Sequence, residues 1–512
     1  MRLSGGEIGR NRDVAVASAA AFLWLALLAV LVPAAQAANL LQPGDPQIRS
    51  DIEILADAGI LHAPVTSWPL PWASIAADLE RADVNALSPL EYRAFSRLAA
   101  LLHIERRGGA QFKAAVKARG GDTVLRWYRS EPRARGALTV GADNGTGNTL
   151  NYNLGLTAAL DPDHDHGTIR PDGSYLGLRA GNWLINAGWL DRWWGPAWSG
   201  SLILGTNARP VPGIAIGRVS AEPFHVPVLK WLGPWRLTFF VDRLNNDRAI
   251  PHPWFFGGRF TFRPLTALTI GISRTVQWCG AGQPCDWVHF RQMVTGTSYR
   301  DTGVPGSSLA SFDIRGQFDL GTQPFAIYMQ EAGEDIGKLR HLPKKFMGLL
   351  GFETWGAMGE GSYRLFAEFA DTRPKFLTVD DVSGNTWNVA YENHQYRTGY
   401  RYYGQVMGYP TDNDSRLVTL GAIFTDGANH TWTALLRGGV INRDDANARL
   451  PGGNSVALRK TDIIDATLSW STRLPRTLGK LSIAAGVTRW TPINADTQYD
   501  KRVSLSWMHG FQ

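Results

Sequence analysis

Asp465-Ala466-Thr467-Leu468-Ser469-Trp470-Ser471 is the stretch whose reading decides the fold. In an extended chain successive side chains point to opposite faces. Ala466, Leu468 and Trp470 therefore share one face, and Asp465, Thr467, Ser469 and Ser471 share the other. The same alternation runs through Val503, Leu505 and Trp507 against Ser504 and Ser506, and through Trp432, Ala434 and Leu436 against Thr431 and Thr433. Apolar-out, polar-in segments separated by turn residues are the pattern of a membrane β-barrel, whose strands face lipid on one side and a lumen on the other.

Composition agrees with that reading. The 512 residues include 20 Trp, 21 Phe, 14 Tyr and 55 Gly, at a mean hydropathy of −0.17. Beyond the N-terminal region no run approaches the length of apolar sequence that a spanning helix needs. Aromatics in such numbers suit the interfacial girdles of a barrel.

At the N-terminus Arg2, Arg10 and Arg12 precede an apolar run over residues 14–32, and Ala35-Gln36-Ala37 follows. A basic region, an apolar region and an A-x-A site are expected to form a secretory signal peptide over 1–37. Export sets nucleic acid aside as a partner. The formal net charge of +7 accompanies 45 acidic residues. This modest Arg excess would favour anionic partners, lipopolysaccharide phosphates among them. In an oxidising compartment Cys279 and Cys285 are expected to form one disulfide.

Residues 38–125 read as a helical bundle. Asp45-Pro46 supplies an N-cap acid and an N1 proline, Ile48, Ile52 and Leu55 follow at helical spacing, and Gly59 ends the helix. A second helix carries Trp72, Ile75 and Leu79 on one face. A third opens on the capping box Ser88-Pro89-Leu90-Glu91. Residues 126–512 then form the barrel.

The fold expected is mainly β: an 18-stranded antiparallel transmembrane β-barrel with a small N-terminal α-helical bundle. The strands are read near 134–143, 149–160, 173–180, 183–190, 201–206, 213–219, 235–242, 255–263, 267–274, 309–319, 322–331, 345–356, 362–371, 416–425, 430–440, 461–472, 480–489 and 501–511. A further strand at 398–408 would make the count odd, whereas single-chain bacterial barrels have even counts. We therefore expect 372–415 to be one long outer segment, beside outer loops at 243–254, 275–308, 332–344 and 441–460. Short turns at 264–266, 320–321 and 426–429 fall at the other end. Segments 191–200 and 220–234 fit neither kind and are expected to fold inward or pack on the helices.

Several blocks resemble the capsule-assembly Wzi family. They are Asp191-Arg192-Trp193-Trp194-Gly195-Pro196, Asn207-Ala208-Arg209-Pro210-Val211-Pro212-Gly213, Trp231-Leu232-Gly233-Pro234-Trp235, Tyr400-Arg401-Tyr402 and Thr411-Asp412-Asn413-Asp414-Ser415. The resemblance implies an outer-membrane barrel with a helical bundle on the periplasmic side, acting as a surface lectin that holds capsular polysaccharide to the cell. Capsular or exported polysaccharide, outer-membrane lipid with lipopolysaccharide, and the polysaccharide export machinery are the implied partners. No cofactor is implied. The C-terminal Phe511-Gln512 and the cysteine pair depart from the family pattern.

Sugars need aromatic faces for their C–H surfaces and paired donors and acceptors for their hydroxyls. Trp387, Tyr391, Tyr400, Arg401, Tyr402, Asp412 and Asp414 are accordingly the candidate glycan-binding residues. Trp193, Trp194, Gly195, Pro196, Arg209 and Pro210 form a block read as structural, since Gly and Pro fix an unusual backbone path. Asp161 to Gly167 mixes acids and imidazoles, but it lacks the distal Glu of a calcium loop and reads as a solvated periplasmic turn rather than a metal site. Neither a G-x-S-x-G elbow nor H-E-x-x-H occurs, so no enzyme is expected. The rival reading is a porin or substrate channel, for which Arg259 and Arg263, opposite Phe260 and Phe262, would line a positive lumen.

Overall fold

The structure is a computed structural model. It describes residues 39–511 except 107–108, 146–148, 164–166, 296–305, 335–344, 377–385, 446–452 and 475–477. Antiparallel strands close on themselves into one barrel. The first, Gln111–Gly120, pairs with the last, Gln498–Phe511, so the sheet has no free edge. The wall holds 18 strands when Ile169–Arg170 and Tyr175–Ala180 are counted as one interrupted strand.

The alternation read in the sequence sets the two faces. Along Thr431–Ile441, Trp432 and Leu436 are exposed on the outside, while Thr433, Leu435 and Arg437 are buried within. Leu468, Leu420, Leu365 and Val418 continue the apolar exterior, a surface suited to lipid. On the inner face Asp465 holds Arg437 and Arg502, and Thr433 bonds Ser469.

Two expectations about the wall are corrected. Residues 201–206 are not a wall strand; Ser201, Leu202, Ile203 and Leu204 lie buried in the lumen, with one isolated bridge between Trp194 and Leu204. This stretch is apolar at consecutive positions, so it is covered on every side. The missed strand is Gln111–Gly120, which moves the start of the barrel ahead of residue 126. Its Ala-Ala-Val-Lys-Ala run has high helix propensity, yet pairing on both edges and burial of alternate residues override it. One gain and one loss leave the count at 18 but invert the direction expected for strands 134–189. The turn after Pro162 consequently lies at the end of the barrel away from the helices, not beside them.

Three helices occupy one end. Helix α1, Pro46–Asp57, is capped by the Asp45 carboxylate on the backbone N–H of Gln47 and Ile48. Helix α2, Trp72–Arg81, buries Trp72, Ile75 and Leu79. Helix α3, Pro89–Glu105, opens on the Ser88–Glu91 capping box. Short turns such as 266–267, 321–322 and 359–360 lie at this helix end: Arg93 of α3 donates to Gly361 O, and Arg263 binds both Ala56 O and Thr266 O. The described parts of the long connections 190–211, 244–253, 279–306, 372–415 and 442–460 lie at the opposite, loop end. One of them carries helix α4, Trp287–Thr295, and the joined pair Cys279–Cys285.

Candidate functional site

The lumen is filled from both ends. From the helix end, Arg49 and Glu53 of α1 pair with each other among the wall residues. Arg364 meets Glu53 at 3.1 Å and Glu353 at 2.8 Å, and Arg315 binds Glu353 at 2.7 Å and Asp57 at 2.6 Å. Arg259 and Arg263 do face inward, but Asp313, Thr66 O, Leu61 O and Ala56 O occupy their guanidinium groups. They hold the helical unit in place rather than lining an open passage.

From the loop end, segment 190–211 folds inward. Trp193–Trp194 pairs with Ser67–Trp68 as a two-residue ladder. Trp68, Trp193 and Trp198 surround Tyr128 with ring centroids 5.2–5.7 Å away, and Arg49 lies 3.8 Å over Trp198. The backbone at Gly195 has φ +139°, and a Cβ there would meet Gln330 at 2.7 Å, so only glycine follows this path. Arg49 donates to Pro196 O, and Pro210 is buried in the same insert.

Segment 386–415 lies over that insert. The tyrosines expected to meet glycan are instead its fastening. Tyr391 donates to Leu202 O, and Tyr400 donates to Ile203 O, each at 2.8 Å. Tyr409 bonds Ser199 at 3.1 Å. Arg401 grips Asp412 with two nitrogens at 2.8 Å and reaches Glu392 at 2.6 Å. Asp414 accepts from Asn388 N, and burial pushes its carboxyl up to about 7. Tyr391, Tyr400, Arg401, Asp412 and Asp414 are all buried, so they are not placed to touch an external polymer. The reason is physical: a tyrosine presents an apolar ring and a polar tip, and an occluding loop uses both as well as a sugar would. Trp387 is half-buried, with the Arg373 guanidinium 3.5 Å over its ring.

Arg401–Tyr402 and Gln405–Val406 form a small hairpin separate from the wall, where a nineteenth strand was set aside. Tyr403 and Gly404 both have positive φ, +46° and +74°, as a two-residue I′ turn requires. The turn brings Tyr402 and Tyr403, ring centroids 4.7 Å apart, over a narrow notch. Arg126, Arg133, Asn207 and Arg209 line it, with Asp163 at the side. Arg209 binds Asp172 through two nitrogens at 3.0 and 2.7 Å. Arg133 is held by the carbonyls of Thr206, Asn207 and Ala208, and the Asp191 carboxylate lies 3.9 Å from it. Burial, with Arg133 beside it, pushes the Arg126 guanidinium down to about 10.

Of the sequence candidates, the notch thus gathers Tyr402 and, from the block read as structural, Arg209. It adds Arg126, Arg133, Asn207 and Tyr403. The signal that could have found them is the run Arg126, Arg129, Arg133 and Arg135 entering a strand. Asp163, from the stretch weighed for metal binding, pairs with Arg119 and Arg126; His164, Asp165 and His166 lie outside the described residues.

Residues 121–504 match the family described as capsule assembly protein Wzi. A Klebsiella pneumoniae protein described as an uncharacterised 55.8 kDa protein in the cps region is 30% identical over 383 residues, 72% of each chain. A solved Escherichia coli structure, described as Wzi, an outer membrane protein involved in group 1 capsule assembly and a carbohydrate-binding β-barrel, superposes with a TM-score of 0.77 at 23% identity. That match covers 92% of this chain and 99% of the other.

Proposed function

Because the chain belongs to the capsule-assembly Wzi family, we propose that it is a non-enzymatic outer-membrane protein that binds capsular or other exported polysaccharide at the cell surface and assists its attachment and assembly. In this reading the helical unit faces the periplasm, where export components could meet it, and the loop end faces outward. Lipid with lipopolysaccharide surrounds the apolar wall. The observation that carries the reading is the double occlusion of the lumen, by α1 from one end and by segments 190–211 and 386–415 from the other. A barrel so filled is a rigid platform whose ligand surface lies among its loops. The same packing counts against the channel alternative. Weak contacts at one loop surface would gain avidity from the polymer's repeats.

The test is the partition of surface polymer between cells and medium in a deletion strain. Loss of cell-bound polymer with normal total synthesis is expected, and an unchanged partition would overturn the reading. Planar-bilayer recording separates the channel alternative: large, steady openings would favour it.

A further inference from the structure

We infer that residues 222–232, folded against the outside of the wall at the helix end, insert into the phospholipid leaflet there and anchor the barrel at that membrane interface. The inference rests on the membrane-barrel reading and adds a lipid-binding segment to it.

The first observation is the face that the segment covers. It connects the strands Pro212–Arg218 and Trp235–Arg243. The backbone N–H of Arg263 donates to Pro234 O, and the Arg263 side chain binds Ala56 O of α1, so the connection lies at the helix end. Arg259, Thr261 and Arg263 are buried toward the lumen, and by alternation Phe260 and Phe262 point outward. Trp235 stands opposite Phe262 in the ladder and shares its face. Outward residues of the wall are otherwise open, yet Phe262 and Trp235 are only 7% and 9% exposed. Trp231 meets Phe262 edge-on with centroids 6.4 Å apart, and Phe224 stacks on Trp235 at 4.3 Å. The expectation that 220–234 folds inward or packs on the helices is thereby corrected. The segment crosses to the outside, through Gly233 at φ +65°, where a Cβ would collide with Arg263 O.

The second observation is what the segment presents beyond the wall. Val226, Val228, Leu229 and Trp231 are exposed, Val228 by 75% and Trp231 by 63%. Closure of the wall does not need them, since the helix-end turns 266–267 and 321–322 take two residues each. Lys230 is exposed among them, and the Arg218 guanidinium lies 3.8 Å over the Trp235 ring while donating to Glu222 O and Trp235 O. Apolar side chains and indoles flanked by cations are the residue types that settle at headgroup level.

The third observation is height. At the loop end of the same strands α4 also lies outside: Phe290 touches Phe256 and Trp278, and the outward Arg274 donates to Met293 O. The strand Trp254–Leu265 runs from one excursion to the other. From Trp254 to Phe262 it rises roughly 26 Å along the chain, or about 20 Å at barrel tilt, close to the roughly 25 Å of an apolar band. The two excursions thus mark the two edges of the band, and the segment is continuous with the lipid-facing wall.

The experiment places the full-length protein in nanodiscs of phosphatidylethanolamine and phosphatidylglycerol, with a polarity-sensitive fluorophore on Val228→Cys. The native cysteines are joined, which leaves the new thiol alone to react. Lipid with a nitroxide near the headgroup should quench this label at least about two-fold more than lipid with a nitroxide at the chain end. Aqueous iodide should quench it little. A label at Leu468→Cys on the open wall should answer the deep nitroxide, and one at Glu80→Cys on the exposed side of α2 should answer only iodide. With the label moved to Val226→Cys, adding Val228→Asp should lower lipid quenching and raise that by iodide, because a carboxylate resists leaving water. An unchanged heat-modifiable band in that variant shows that the wall stays closed. Iodide quenching at 228 with the Leu468 label still in lipid overturns the inference and leaves the membrane barrel standing. Iodide quenching at both overturns both. Stronger quenching of 228 by the deep nitroxide overturns the interfacial position. A crosslink between 228 thiols of two barrels that shields the label from lipid gives the face to a second copy and overturns the lipid assignment.

Discussion

The two ends of the lumen are built from the same residue types and treat them in opposite ways. Near the helix end Arg49, Arg315 and Arg364 face Glu53, Asp57 and Glu353, three cations against three carboxylates, with no side chain more than 7% exposed. At the loop-end notch Arg133 is oriented by three backbone carbonyls, and Arg133 and Arg209 keep 18% and 15% of their side-chain surface open to solvent. Buried ions need matched partners to offset desolvation, so a sealed and balanced network is what holding a plug requires. Guanidinium groups that reach the rim of the loop end are held more loosely and face water as well as protein. The contrast separates arginines sealed into the plug from arginines that keep part of their surface at the loop end.

The largest break in that contrast should come from Glu353→Ala. Glu353 accepts from Arg315, Arg364 and the Trp198 indole, and it is fully buried. Its removal leaves two guanidinium groups facing each other, and losing one partner of a buried pair costs about 3–5 kcal/mol. Thermal unfolding in detergent, followed as loss of the compact heat-modifiable band, should move down sharply, while protein that remains folded binds polymer normally. A stability change within about 1 kcal/mol would erase the distinction between the two ends.

A smaller effect should follow Tyr391→Phe. The hydroxyl donates to Leu202 O and accepts from Tyr409 N at 3.1 Å, so its loss strands two buried backbone groups at a cost of about 1–3 kcal/mol. Polymer affinity per folded molecule should be unchanged. If affinity collapses while stability holds, the tyrosine acts on ligand after all and the loop-end inserts are not mere fastening.

How far the sequence could be read follows the same division. Strands such as Thr461–Arg473 were legible because one lipid-facing and one lumen-facing side impose strict alternation. The N-caps at Asp45 and Ser88 were legible because capping is local. Gln111–Gly120 was not, since Ala and Lys favour a helix until two neighbouring strands claim the backbone. The inward fold of the Trp193–Pro196 block could be anticipated from its length and its Gly and Pro. The burial of Tyr391 and Tyr400 could not, because an amphipathic ring fits a lumen plug and a sugar surface equally. The notch itself was invisible, being assembled from 126–133, 207–209 and 402–403, far apart in the chain.

The smallest effect should come from Trp387→Ala, although composition alone makes this residue the most obvious sugar platform. Arg373 lies 3.5 Å over its ring and Arg443 lies 5.5 Å from the centroid, so guanidinium groups already hold the surface on which a pyranose would stack. A partly exposed cation–π pair contributes about 0.5–1 kcal/mol. Removing the indole should therefore cost that much stability and change polymer affinity less than about two-fold, because Arg373 also bonds Thr386 and Arg443 also meets Asp371. A larger loss of affinity, with stability held, would place the polymer on the ridge around residue 387.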